Sequence, residues 1–228
     1  KCCHDMDILR YLIGEKCVSV NSYGSLSYFK EENAPENAEA FCTDCPRKED
    51  CAYNAQKLYT KYVWPAGYFT KGALTEENIL RDLKYSPYDR CVFKCDNDVV
   101  DHQSTLLLFE KGKTAVHTMT AFSREIYRDI KIYGTKAELA GVMEKNLIEI
   151  RPFGGEPFKA EVNASAASVG GHCGGDYYMM CQIWNDLNGI KGKGITYLDV
   201  SIESHLMSFG AEKSRLHGGE SCKIEFVE

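Results

Sequence analysis

The sequence has no long apolar run and no excess of basic charge, and both absences narrow the choice of partners. No apolar stretch approaches the roughly 20 residues that cross a bilayer, and none follows a basic start as in a signal peptide. The net charge is −6, with acidic and basic residues interspersed along the chain. Because a phosphate backbone favours a basic face, we expect neither a nucleic acid nor a membrane as partner.

Common nucleotide and nucleophile motifs are also absent from the sequence. It contains no Gly-x-Gly-x-x-Gly between a strand and a helix, no P-loop and no Gly-x-Ser-x-Gly elbow. The glycine-rich stretch 170–175 has a different spacing, and no βαβ pattern surrounds it. We therefore expect that this chain alone does not bind a dinucleotide tightly.

The hydrophobic pattern predicts an α+β fold in a chain of 228 residues, 44% of them hydrophobic. Helical spacing predicts helices at 1–14 (with Gly14 as the stop), 50–62, 75–84, 176–187 and 202–216. A period of two predicts strands at 16–29 (a pair broken at Gly24), 91–95, 104–109, 114–122, 128–133, 138–143, 147–153 and 221–226. The glycine-rich interval 154–175 is predicted to be a loop. We expect a single domain with one open, mainly antiparallel sheet and helices packed on one face.

Eleven cysteines are a high count for this length. Since the number is odd and no secretion signal is visible, we expect reduced thiols in a cytoplasmic protein. The spacing of Cys42, Cys45 and Cys51 allows three thiolates to reach one ion, and Cys91 or Cys95 offers a fourth ligand for tetrahedral zinc. We take Cys91 as the fourth member of the predicted site. The alternative is a set of free or packed thiols.

Two further groups of residues are candidates for a catalytic or substrate-binding site. His4 and Asp7 share one face of the first predicted helix, where an imidazole can exchange protons near neutral pH. Asp98 and His102 lie in a polar turn between predicted strands, and His172 lies in the glycine-rich loop before Asp176. The alternatives are an exposed helix face, a solvated turn and a plain glycine loop.

Several segments resemble the C-terminal domain of the Gfo/Idh/MocA oxidoreductases. They are HDMDILRYLIG at 4–14, VDHQSTLLLFEKG at 100–112, TAVHTMTAF at 114–122 and KIYGTKAEL at 131–139. The chain departs from the family pattern at Ala137, where glycine is usual, and at His102, where an acid or asparagine often stands. The resemblance covers nearly the whole chain, and residues 41–65 look like an insertion.

The resemblance implies a dihydrodipicolinate reductase-like C-terminal domain whose Rossmann domain, with the NAD or NADP site and a catalytic lysine, precedes Lys1. It implies that His4 is the catalytic histidine, and that Asp7, Asp98, His102 and His172 contact a sugar, cyclitol or other polyol. It also implies homo-oligomers that assemble through the β-sheet. On this interpretation the isolated chain is inactive.

Two alternatives remain open at the level of the sequence. The first is an NAD-dependent glycoside hydrolase on the same scaffold, in which transient oxidation assists bond cleavage. The second is a non-catalytic module in which the cysteines hold zinc and the sheet mediates assembly.

Overall fold

The computed structural model describes residues 2–161, 174–190 and 196–225. The chain divides into two compact units: unit 1 comprises Lys1–Lys16 and Ser123–Leu206, and unit 2 comprises Cys17–Phe122 and Met207–Glu228. Each unit contains one four-stranded antiparallel sheet. The predicted α+β class is confirmed, but the strands form two sheets instead of one.

The described helices and strands have the following bounds. The helices are α1 (Cys2–Ile13), α2 (Ala55–Lys61), α3 (Val63–Ala66), α4 (Glu76–Leu83), α5 (Gly175–Leu187) and α6 (Leu198–Leu216). The strands are β1 (Cys17–Ser25), β2 (His102–Phe109), β3 (Thr114–Thr120), β4 (Asp129–Tyr133), β5 (Ala137–Val142), β6 (Leu147–Pro152), β7 (Phe158–Glu161) and β8 (Cys222–Lys223).

Local sequence signals fix the ends of several helices. Helix α1 stops because Gly14 adopts a positive φ of 71° and its N–H donates to the carbonyl of Arg10 at 3.0 Å. Helix α4 starts after Thr75, whose side chain accepts the N–H of Asn78, and α2 starts after Asn54, which caps it in the same way. These caps satisfy backbone donors that a helix start otherwise leaves unpaired.

The sheet of unit 2 has the order β3-β2-β1-β8 and buries one face against the second half of α6. Strand β2 alternates between buried and exposed side chains, with Thr105, Leu107 and Phe109 pointing inward. On α6 the buried positions Met207 and Ala211 recur at helical spacing. Buried side chains thus recur at every second residue of β2 and four residues apart on the helix that covers it.

A small polar contact joins α6 to β1 inside this core. Ser214 accepts the N–H of Ser22 at 2.9 Å and donates to the carbonyl of Glu220 at 2.6 Å. The Ser22 hydroxyl lies 3.0 Å from that of Thr105. All three serine and threonine side chains are buried, so these bonds remove the cost of placing hydroxyls in an apolar core.

The sheet of unit 1 is a meander with the order β4-β5-β6-β7. Helix α1 is tied to the first part of α6 by an ion pair, in which Arg10 Nε lies 2.8 Å from Glu203 Oε2. The Glu203 side chain is only 2% exposed. Because a buried carboxylate needs a charged partner, this pair fixes the rotation of α1 about its axis.

Three sequence predictions are corrected by the structure. Residues 91–95 form a turn in which Cys91 accepts the N–H of Lys94, because their period of two arises from Cys91 and Phe93 packing into an apolar cluster. The predicted loop contains strand β7, which pairs with β6. The predicted helix 50–62 begins only at Ala55, since Asn54 is its cap.

None of the described helices combines the length and the apolar character that a membrane span requires.

Gly24 provides a test of the close pairing of β1 and β2. A Cβ atom there would lie 2.5 Å from the carbonyl oxygen of His102 and 2.9 Å from Gln103 Cα. We expect Gly24→Ala to lower the free energy of unfolding by about 1–3 kcal/mol, because backbone must move to relieve the overlap. Urea unfolding measures the change, and Ser25→Ala, at the neighbouring exposed position, serves as control. Equal stability of the two variants would contradict the packing described.

Candidate functional site

The first turn of α1 presents the predicted catalytic histidine. His4 is exposed, whereas Asp7, one turn further on the same face, is half-buried. Asp7 Oδ2 accepts a hydrogen bond from the Thr196 hydroxyl at 2.8 Å. Asp7 Oδ1 is buried and has no hydrogen-bond partner among the described residues. This half of the carboxylate therefore retains the capacity to accept a further hydrogen bond.

Two ion pairs hold α1 in place around these residues. Asp5 Oδ1 lies 2.7 Å from Arg128 Nε, and Arg10 is paired with Glu203 at the other end of the helix. All four side chains belong to unit 1. His4 is thus displayed on a helix that is anchored at both ends, as an acid–base group requires.

A second polar group, in unit 2, consists of Ser27, Asp101 and His102. Asp101 is buried, and its Oδ2 accepts backbone N–H bonds from Ser27 at 2.9 Å and Tyr28 at 2.7 Å. Its Oδ1 accepts the Ser27 hydroxyl at 3.1 Å and lies 2.9 Å from His102 Nδ1. The carboxylate thus closes the turn after β1 and orients an imidazole at the start of β2.

The electrostatics of Asp101 follow from these bonds. Burial alone would raise the pKa of Asp101, but the N–H donors of Tyr28, Ser27 and Phe29, together with His102, outweigh it and hold that pKa well below its usual range. An ionised carboxylate only accepts, so Nδ1 of His102 carries a proton, and in the neutral form of the imidazole Nε2 then keeps its lone pair. Since the imidazole is 44% exposed, Nε2 can accept a hydrogen bond from a ligand hydroxyl.

The structure joins one predicted substrate-binding residue, His102, to two residues that were not predicted. His102 is joined to Asp101 and Ser27, while Asp98 is exposed in the preceding turn. His172 lies outside the described residues. Sequence reasoning chose Asp98 and passed over Asp101 and Ser27. The sequence contained one signal for Asp101, namely its position. It directly precedes a strand with alternating side chains, which places it where that strand begins.

The four predicted metal ligands, Cys42, Cys45, Cys51 and Cys91, line one small cavity of unit 2. Burial raises the pKa of the Cys42 thiol to about 11, against the opposing effect of the backbone N–H of Ala55. Across the described residues, however, no group of three or more Cys, His, Asp or Glu side chains is placed so that it could hold a metal ion without moving. The predicted zinc site is thus not present as a formed centre, because the thiols surround a cavity without converging on a point.

The starts of two helices of unit 2, α2 and α4, do not fit the diphosphate of a dinucleotide. The starts of α2 and α4 are capped by their own Asn54 and Thr75 side chains, which occupy backbone donors that a phosphate would need. No described strand runs into a described helix through a glycine-rich turn. A dinucleotide, if used, must be held mainly by residues other than these.

Comparisons with known proteins show the fold. The sequence matches no protein-family model and no curated protein. Its structure is similar to an oxidoreductase domain protein from Kribbella flavida, with 14% identity and a TM-score of 0.58, over 98% of this chain and 50% of that one. A levoglucosan dehydrogenase in complex with NADH gives 14% identity and 0.58, over 99% and 49%. An aldose-aldose oxidoreductase from Caulobacter crescentus gives 14% and 0.53, over 97% and 45%.

This chain spans about half the length of the solved structures that it matches. At such low identity the likeness establishes a shared fold, which is the fold of part of these oxidoreductases.

The buried carboxylate predicts a defined pH dependence of stability. Because the pKa of Asp101 is depressed in the fold, its ionised form stabilises the protein above about pH 4, and this contribution is lost as the pH falls through the lower folded pKa. We expect Asp101→Asn to lower the free energy of unfolding by about 1–3 kcal/mol at pH 7. The deficit relative to wild type should narrow below about pH 4.

Urea unfolding across this pH range measures both effects. Asp98→Asn, exposed in the same turn, is the matched control and should change stability by less than about 0.5 kcal/mol. A deficit of Asp101→Asn that stays constant down to pH 3 would show that the carboxylate charge is not involved.

Proposed function

We propose that this chain is the substrate-binding portion of a NAD(P)-dependent oxidoreductase of the Gfo/Idh/MocA family that acts on a sugar, cyclitol or other polyol. The main support is the fold, which over nearly the whole chain resembles about half of several oxidoreductases. One of these was solved with NADH and levoglucosan. The proposed reaction oxidises a carbinol to a carbonyl, with nicotinamide as the hydride acceptor, held by residues outside this chain.

The proposal assigns the proton transfer to His4. Oxidation of a carbinol releases the hydroxyl proton, and an exposed imidazole is the side chain that most often takes up such a proton. Asp7 lies on the same helix face and remains a proposed substrate contact on the resemblance alone, since its unpartnered Oδ1 is buried.

His102 is proposed as a hydroxyl-binding group of unit 2, with Asp101 as its positioning residue. The support is the 2.9 Å contact that leaves the exposed Nε2 as an acceptor in the neutral imidazole. Asp98 and His172 remain proposed contacts on the resemblance alone. An imidazole acceptor matches the hydroxyls of a polyol.

A test of the proposed activity uses the protein that contains this chain together with a nucleotide-binding portion. It is incubated with NAD⁺ or NADP⁺ and a panel of sugars, cyclitols and polyols, and NAD(P)H formation is followed by absorbance. Net NAD(P)H formation supports the dehydrogenase. Release of a free sugar from a glycoside without net redox change supports the hydrolase alternative instead. Activity on neither class would refute the proposal.

In the same protein we expect His4→Ala to reduce kcat by about 100-fold or more, because the hydroxyl proton loses its acceptor. The control is His217→Ala, which removes an exposed histidine near the end of the described chain. Steady-state kinetics on both variants measure the effect. Unchanged turnover of His4→Ala would exclude the assigned role.

We also propose that the protein forms homo-oligomers through the sheet of unit 2. The face opposite α6 carries the exposed side chains of Leu106, Leu108 and Val116, and Leu106 lies directly across from Val116. Contiguous exposed apolar side chains are typical of interaction surfaces.

If this face is the interface, Val116→Glu should shift the protein to a smaller species, because a charge cannot be buried there without a partner. Sedimentation equilibrium measures the mass, and Tyr85→Glu, at an exposed position in a turn, is the control. A wild-type monomer, or an oligomer unchanged by Val116→Glu, would contradict the proposal.

A further inference from the structure

The cavity lined by Cys42, Cys45, Cys51 and Cys91, hereafter the four-cysteine cavity, has a volume of about 10 Å³. This is close to the space that a single water molecule requires. Cys42, Cys45 and Cys91 are buried and Cys51 is half-buried. Four thiols from three separate turns therefore surround room for one atom-sized ligand.

The backbone holds two of these cysteines side by side. Phe41 and Arg90 form an antiparallel bridge, in which the N–H of Cys42 donates to Asp89 at 2.7 Å and the N–H of Cys91 donates to Ala40 at 2.8 Å. The two cysteines are 49 positions apart in sequence, so their proximity depends on this pairing and not on local spacing.

Two tight turns return the other two cysteines to the same place. The N–H of Cys45 donates to the carbonyl of Cys42 at 3.4 Å, and the N–H of Cys51 donates to that of Arg47 at 2.9 Å. Cys95, by contrast, donates its thiol to the carbonyl of Val92 and does not line the cavity. The structure thus distinguishes Cys91 from Cys95, which the sequence spacing alone did not.

Two N–H groups beside the cavity can stabilise negatively charged thiolates. The backbone N–H of Ala55 acts on the Cys42 sulfur. Arg47 lines the cavity, and its Nε is buried without a hydrogen-bond partner among the described residues. A buried guanidinium N–H without an acceptor is costly, whereas a metal-bound thiolate would be an acceptor of suitable charge. Outer N–H donors of this kind are usual around thiolate ligands.

We propose that the four-cysteine cavity is a structural zinc site in which all four thiols become ligands of one Zn²⁺ ion. Four sulfur ligands are typical of zinc or iron, and a cavity of about 10 Å³ favours a single ion over a cluster that contains inorganic sulfide. Since the thiols do not yet converge on a point, binding requires their side chains to rotate inward. Each thiol that binds as thiolate releases its proton to solvent.

The proposed ion would connect parts of unit 2 that carry no regular sheet. Cys42 packs with Ala55 and Leu83, and Cys91 packs with Phe29 and Phe93. These are two separate apolar clusters, each too small to be a full core. One ion bound to a cysteine of each would hold them together, which is the role of metals in small domains.

The test measures metal content in the whole protein purified without chelator. We expect about one zinc ion per chain by elemental analysis, as for a closed four-ligand site. Cys51→Ser, at the half-buried ligand, should reduce the zinc content at least fivefold, whereas Cys95→Ser should retain it. Zinc below about one-tenth per chain in the wild type, or equal loss in both variants, would overturn the proposal. So would stoichiometric iron in place of zinc.

A second measurement keeps the test decisive if Cys51→Ser does not fold. The wild-type protein is reconstituted with Co²⁺, and the visible spectrum should show thiolate-to-cobalt charge transfer and the intense bands of a tetrahedral site. Absence of both would overturn the proposal. Mass spectrometry after alkylation reports disulfides, and a Cys42–Cys91 or Cys45–Cys51 disulfide in the freshly purified protein would do the same.

Discussion

Unit 2 depends on one buried carboxylate, that of Asp101. The chain directly after β1 presents three backbone N–H groups, those of Ser27, Tyr28 and Phe29. The side chain of Asp101 accepts a hydrogen bond from each of them. Its own N–H donates to Ser25, and its carbonyl accepts from Ala121. One residue therefore terminates β1, starts β2 and receives the end of β3. The exposed imidazole of His102 takes its orientation from the same group.

The sequence predicted the features that local chemistry determines. Helix α1 ends at Gly14 and α4 begins after Thr75, because a positive φ and a side-chain cap act within one turn. The period of two located β2 through its alternating Thr105, Leu107 and Phe109. It failed at 91–95, where the same period reflects two side chains packing from a turn into an apolar cluster.

The site was predictable in its residue types and less so in its geometry. His4 and Asp7 share a helix face, which spacing alone determines. Asp101 was not singled out from its acidic neighbours: its position directly before a strand was the one signal in the sequence, and the turn after β1 shows which carboxylate is buried. That Cys91 lines the cavity and Cys95 does not depends on the pairing of Phe41 with Arg90, a contact between distant segments. Long-range pairing of this kind has no signature in a single sequence.

The order in which the chain builds its two units constrains how it folds during synthesis. Unit 1 needs residues 1–16 and then nothing more until residue 123, and the partner of Arg10 lies 193 positions further on. Helix α1 therefore leaves the ribosome long before the residues that hold it. Its half-buried and apolar positions remain exposed until residues 123–206 of unit 1 have been made, and during that time aggregation competes with folding. Large sequence separation also makes such contacts slow to form. Helix α1 therefore stays accessible to a chaperone until these contacts have formed.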